Sequence, residues 1–150
     1  MTETADIIRH IKSNRSPVWD LLNGKLVDYD EATSRVTMEW RAETCHCHSI
    51  DGHPKGGVVQ GGIVTSWLDV AMANACRFLG DPSVTVATLE IKVTFLQPAH
   101  PGIYRSYGYV VKAGKNVAFL EAELKDSSER LTAKASATAS IRTPDHRTSK

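Results

Sequence analysis

The chain has 150 residues, with 18 Lys and Arg against 17 Asp and Glu, for a formal charge of +1. That length suits one domain, and the even charge lacks the basic excess of a nucleic-acid binder. No window holds the roughly 18 uncharged apolar residues that a membrane-spanning helix needs.

Three cysteines, an odd number, do not make a disulfide framework. Glu3, Asp6, Arg9 and Lys12 interrupt any apolar stretch at the N-terminus, so a signal peptide is not expected and the expected location is the cytoplasm. Ile7, Ile8 and Ile11 have helical spacing, and the Ser16-Pro17 pair ends that helix. Asn23-Gly24 marks a turn. Lys25 to Tyr29 and Arg35 to Trp40 then read as two strands, with Val36, Met38 and Trp40 alternating. Half of the ten glycines fall between Gly52 and Gly62, which predicts a long loop of functional character.

From Gly62 to Leu79 the chain is apolar nearly all round, contains three alanines and has no internal Pro or Gly. A helix ending at Gly80 is predicted, buried on every side. After Pro82 the period becomes that of a strand. Leu89, Ile91, Val93 and Phe95 alternate with Thr88, Glu90, Lys92 and Thr94. Ile103 to Lys112, Ala118 to Lys125 and Leu131 to Ile141 supply three more strands, the first two joined by a tight hairpin at Ala113 to Asn116. The expected division is an N-terminal helical segment (1–22), one domain (23–142) and a flexible tail (143–150). The fold class is α+β. A curved antiparallel sheet wrapped around the helix, or a second subunit, would cover a helix with no polar side.

Two features of that helix bear on chemistry. Gln60-Gly61-Gly62 lies where the loop meets the helix N-terminus. Unpaired amides and the helix dipole there favour negative charge, such as an oxyanion formed from a carbonyl; a plain loop-to-helix junction gives the same residues. Asp69 is the only carboxylate in the helix, set between Leu68 and Val70. It is either a structural Asp bonded to Thr65, Ser66 or a backbone amide, or a general base in an apolar site. Eight residues of straight helix separate Gly61 from Asp69 by roughly 12 Å, too far for both to serve one carbon. If both act, each site joins Gly61 of one subunit to Asp69 of another.

Other signals point to ordinary structure. Cys45-His46-Cys47-His48 looks like a metal cluster, but on an extended segment the two residue types point apart and a second ligand pair is missing. No metal site is expected. Cys76 reads as a small core residue.

The stretch from His53 to Ala73, with Gly57, Gln60, Gly61, Gly62 and Asp69 in register, resembles the hotdog-fold acyl-CoA thioesterases of the phenylacetate-pathway type, in the 4-hydroxybenzoyl-CoA thioesterase superfamily. Ala87 to Ala99 with Gly102, and Gly114-Lys115 with Ala118-Phe119, resemble later strands of the same family. The similarity spans about Lys25 to Ile141. It implies a long central helix wrapped by an antiparallel sheet of five to six strands, working as a homodimer or a dimer of dimers. The implied reaction is hydrolysis of an acyl-CoA to free acid and CoA, with no cofactor beyond the coenzyme A of the substrate itself.

The resemblance also implies roles. The Gly61 amide, with Gly62 nearby, would polarise the thioester carbonyl, and Asp69 would act as general base or nucleophile. Thr88 stands where some members position the attacking water, although strict alternation puts it on the polar face with Glu90 and Lys92. A bulge or a dimer seam would have to give it access. Gln60 replaces the commoner His and cannot carry a proton at neutral pH. Pro54 replaces an Asn or Gln, leaving His53 or His48 as substitutes for substrate contact. Trp67 and Met72 either line an acyl tunnel or pack the core. Lys115, like Lys55, Lys112 and Arg142, either meets the CoA phosphates or is simply solvated. Two rival readings follow from the same features: a non-catalytic module binding acyl-CoA or acyl-carrier protein, and a hotdog hydratase or dehydratase.

Overall fold

The computed structural model describes residues 3–144; most of the expected tail, from 145 on, lies outside the described residues. Two short helices come first, α1 (Thr4–Ser13) and α2 (Val18–Leu22). Asn23 closes α2 in the left-handed conformation, with φ 59°. This turns the chain into strands β1 (Gly24–Asp30) and β2 (Arg35–Ala42). A 3-10 turn (Thr44–His46) leads to a two-stranded ribbon, β3 (Cys47–His48) with β4 (Val58–Val59). The long helix α3 (Gly61–Cys76) ends in a 3-10 turn (Arg77–Leu79). Four long strands complete the chain: β5 (Thr85–Phe95), β6 (Gly102–Ala113), β7 (Val117–Asp126) and β8 (Leu131–Arg142).

Six strands form one antiparallel sheet in the order β1-β2-β6-β7-β8-β5. Alternation sends Ala118, Leu120, Ala122 and Leu124 of β7, and Ala133 to Ala139 at every second residue of β8, onto the helix. The alanines among them let α3 sit close to the sheet. β6 comes closest. A Cβ on Gly108 would lie 2.4 Å from the backbone of Ala71, so only glycine fits that crossing.

The core joins the sheet, α3 and the N-terminal helices. Trp67 of α3 has no exposed surface and stacks between Trp40 and Tyr104. Each buried polar tip there has a partner. The indole of Trp67 donates to Leu22 O at 3.0 Å, and that of Trp40 to Ser106 Oγ, which in turn donates to Trp67 O. Ile7, Ile11, Trp19 and Leu22 belong to the same core.

Of the two covers expected for the helix, a curved sheet or a second subunit, the sheet of one chain supplies only the side turned to it. Val64, Leu68, Ala71, Met72 and Ala75 are buried, while Gly62, Ser66, Asp69 and Ala73 keep exposed surface along the other side. A departure from the sequence expectation concerns Leu89, read as an inward residue of β5. It is 63% exposed. The cause is a β-bulge: Thr88 pairs with Ala139 and Glu90 with Thr138, leaving Leu89 as the extra residue.

Candidate active site

The bulge decides which way Thr88 points. Before it, the even-numbered Val86 and Thr88 lie opposite the inward Ile141 and Ala139; after it, the odd-numbered Ile91 and Val93 take the inward side. Thr88 therefore faces α3, and its hydroxyl donates to Asp69 Oδ1 at 2.6 Å. Neither Thr65 nor Ser66 partners Asp69, since both hydroxyls turn back to helix carbonyls, Gly61 O and Gly62 O. Asp69 is half-buried on the open side of α3. One oxygen is held by Thr88, and Oδ2 has no hydrogen-bond partner among the described residues.

The N-terminus of α3 is organised by Gln60. Its backbone is extended (φ −61°, ψ 136°), and its Oε1 accepts from Gly62 N at 2.6 Å and Ile63 N at 3.2 Å. This is the work of an N-cap. It occupies the Gly62 amide that the sequence had placed beside Gly61 as a second donor. The Gly61 N–H meets no acceptor among the described residues. It is the one amide of this turn left for a ligand.

The glycine loop is tied down on both flanks. Val59 N donates to Ala99 O, Gln60 N to His46 O, and His100 Nδ1 bonds Gly57 O at 2.8 Å. Gly57 has φ 126°, and a Cβ there would meet Cys47 Cβ at 2.9 Å, so the position requires glycine. The Cys-His-Cys-His stretch is not extended, as expected from sequence, but begins as a 3-10 turn. His46 is buried with both ring nitrogens engaged: Nδ1 accepts from Glu43 N and Nε2 donates to Leu21 O. Burial pushes the Cys76 thiol up to about 11, as fits a core residue.

An apolar cavity of about 320 Å³ opens beside Gly61, walled by Val58, Val64, Phe95, Leu96 and Pro98. His48 also lines it. His53 does not: it sits in the loop Ser49 to Pro54, with Nδ1 accepting from Lys55 N and its ring 5.2 Å from that of His100. Trp67 is sealed in the core and Lys115 is exposed in the β6–β7 hairpin. Strand pairing puts that hairpin beside Val86 and Ile141, toward the C-terminal end of α3 and away from Gly61. Thus Asp69 with Thr88 forms one cluster, and Gly61, Gln60 and Gly62 form another. Phe95 and Leu96 went unnoticed as site residues because period-2 alternation made Phe95 an ordinary inward strand residue. The signal available was two successive large apolar residues just ahead of Pro98.

A glycine-led helix wrapped by a six-stranded antiparallel sheet is the hotdog fold. Comparison with known proteins agrees. Residues 56–133, just over half the chain, match the family model described as the thioesterase superfamily. A Pseudomonas aeruginosa protein named "Putative esterase" is 30% identical over 122 residues, 81% of this chain and 85% of its own. A Saccharolobus solfataricus protein bearing the same description is 27% identical over 135 residues, 90% of each chain. Among solved structures, the fold matches the E. coli PaaI protein from the phenylacetic acid degradation operon. The TM-score is 0.77 at 14% identity, covering 94% of this chain and 97% of that one. The chain belongs to the thioesterase superfamily.

Proposed function

We propose that the protein is an acyl-CoA thioesterase that hydrolyses the thioester to a free carboxylic acid and CoA. The observation that carries this reading is the Thr88–Asp69 hydrogen bond, made possible by the bulge in β5. It fixes a half-buried carboxylate on the open side of the core helix while leaving one oxygen available. The Gly61 amide would hold the carbonyl oxygen, where the helix N-terminus stabilises the negative charge that develops as water attacks. Asp69 Oδ2 would take the proton from that water. The carbon–sulfur bond then breaks and the departing sulfur leaves as the CoA thiol once protonated. Direct attack by Asp69 on the carbonyl is the alternative first step, and gives the same products after hydrolysis of the anhydride.

Gly61 and Asp69 lie on one helix, separated by roughly 12 Å along its axis. A reacting carbon must be within about 3 Å of both donor and base. The reading therefore requires two copies of the chain with their α3 helices antiparallel, Gly61 of one facing Asp69 of the other. The partly exposed stripe Gly62, Ser66, Asp69 and Ala73 is the side on which they would meet. Asp69→Asn keeps an acceptor for Thr88 but removes the base. In a thiol-release assay over a panel of acyl-CoAs, it should lower kcat about a thousandfold with the melting temperature unchanged. Full activity in this variant would contradict the mechanism.

A further inference from the structure

We infer that Phe95 sets the acyl-group specificity of this site, restricting it to compact, uncharged acyl groups; the inference rests on the thioesterase reading above. The ring of Phe95 lies directly over Gly61. A Cβ built on Gly61 would be 3.3 Å from Phe95 Cζ and 3.6 Å from Cε1. The ring that neighbours the free amide is itself 54% exposed and walls the cavity beside it. An acyl group whose carbonyl oxygen reaches the Gly61 N–H must therefore pack on this ring.

The ring is held in place by the end of its strand. Phe95 pairs with Ala133, and the next two amides, Leu96 N and Gln97 N, both donate to Thr132 O at 2.9 and 3.1 Å. Thr132 is buried. This pins the strand end, so that Phe95 and Leu96, 43% exposed, both border the cavity. Apolar side chains exposed side by side around a concavity mark a surface that a ligand covers. The part of the concavity that one chain supplies is about 320 Å³ and open on one side, and its walls are apolar, as suits an uncharged ligand group. Its described lining includes no Lys, Arg, Asp or Glu. A carboxylate-bearing acyl group would lose hydration against these apolar walls, with His48 the one ionisable side chain in the described lining, and a long chain entering beside Gly61 would press on the Phe95 ring.

The test is kcat/KM by thiol release for butyryl-, hexanoyl-, benzoyl-, succinyl- and palmitoyl-CoA, with the wild type, Phe95→Ala and Phe95→Leu. The wild type should favour the butyryl, hexanoyl and benzoyl thioesters over succinyl and palmitoyl. Phe95→Ala should raise the palmitoyl-to-butyryl ratio about tenfold, the scale of small steric changes in an apolar pocket, and Phe95→Leu should raise it less. Phe95→Leu keeps most of the apolar volume and carries the test alone if the alanine variant does not fold. An unchanged ratio in an active, folded variant would overturn the role of Phe95, as would a wild type that prefers succinyl-CoA. No hydrolysis of any thioester by the wild type would instead overturn the thioesterase reading, and the specificity inference with it.

Discussion

The two clusters on α3 are built in opposite ways. At the helix start the group left free is a backbone amide, after the Gln60 side chain has taken the amides of Gly62 and Ile63. Halfway along, the candidate group is a side chain, Asp69, held by a residue that faces it only through a bulge in β5. The first cluster is capped by its own neighbouring residue, Gln60, although tertiary bonds such as Gln60 N to His46 O anchor the loop before it. The second depends on tertiary structure. This difference separates their proposed tasks, since a fixed dipole suits binding of an oxyanion and a carboxylate suits movement of a proton.

Substitutions can sharpen that contrast, and the carboxylate should be the more sensitive element. The next largest effect belongs to Gly61→Pro, which deletes the amide hydrogen and adds a ring whose Cβ would lie 3.3 Å from Phe95 Cζ, so that the exposed Phe95 side chain must yield slightly. Proline is favoured at the first position of a helix, and Gln60 already has the extended backbone that a residue before proline requires. Removing one oxyanion donor costs about a hundredfold in kcat, with helix content preserved by circular dichroism. Undiminished kcat would dissociate Gly61 from the chemistry. Thr88→Val, nearly isosteric, should cost less, about tenfold in kcat, because Asp69 loses one hydrogen bond to a charged group, worth about 1.5 kcal/mol, but keeps its carboxylate. A thousandfold loss in Thr88→Val would instead make Thr88 an equal partner in the reaction.

The same contrast explains what the sequence could reveal. The helix, its glycine start and its single carboxylate were legible because they depend on contiguous residues and one period. The strands were legible for the same reason, while the access of Thr88 was left open between a bulge and a dimer seam, and the structure has the bulge. The position of that bulge was not legible, since Thr-Leu-Glu contains no glycine or other local marker, and Leu89 was consequently placed inside. Nor was the open side of α3 apparent, because an all-apolar helix does not show which elements supply its cover. Gln60 read as a loss of proton chemistry, whereas its position beside the helix makes it a cap. Phe95 was hidden by its own alternation, which correctly gave its side of the sheet but not that the sheet ends there, against Gly61.

The central claim is that each site takes Gly61 from one chain and Asp69 from another. It is tested most directly by co-expressing Gly61→Pro with Asp69→Asn and assaying the mixture. Each variant alone forms only defective sites. In a mixed dimer one site receives both defects and the other receives neither. Random pairing then restores about a quarter of wild-type activity. Activity that stays at the level of the separate variants would contradict the shared site and place the chemistry within one chain.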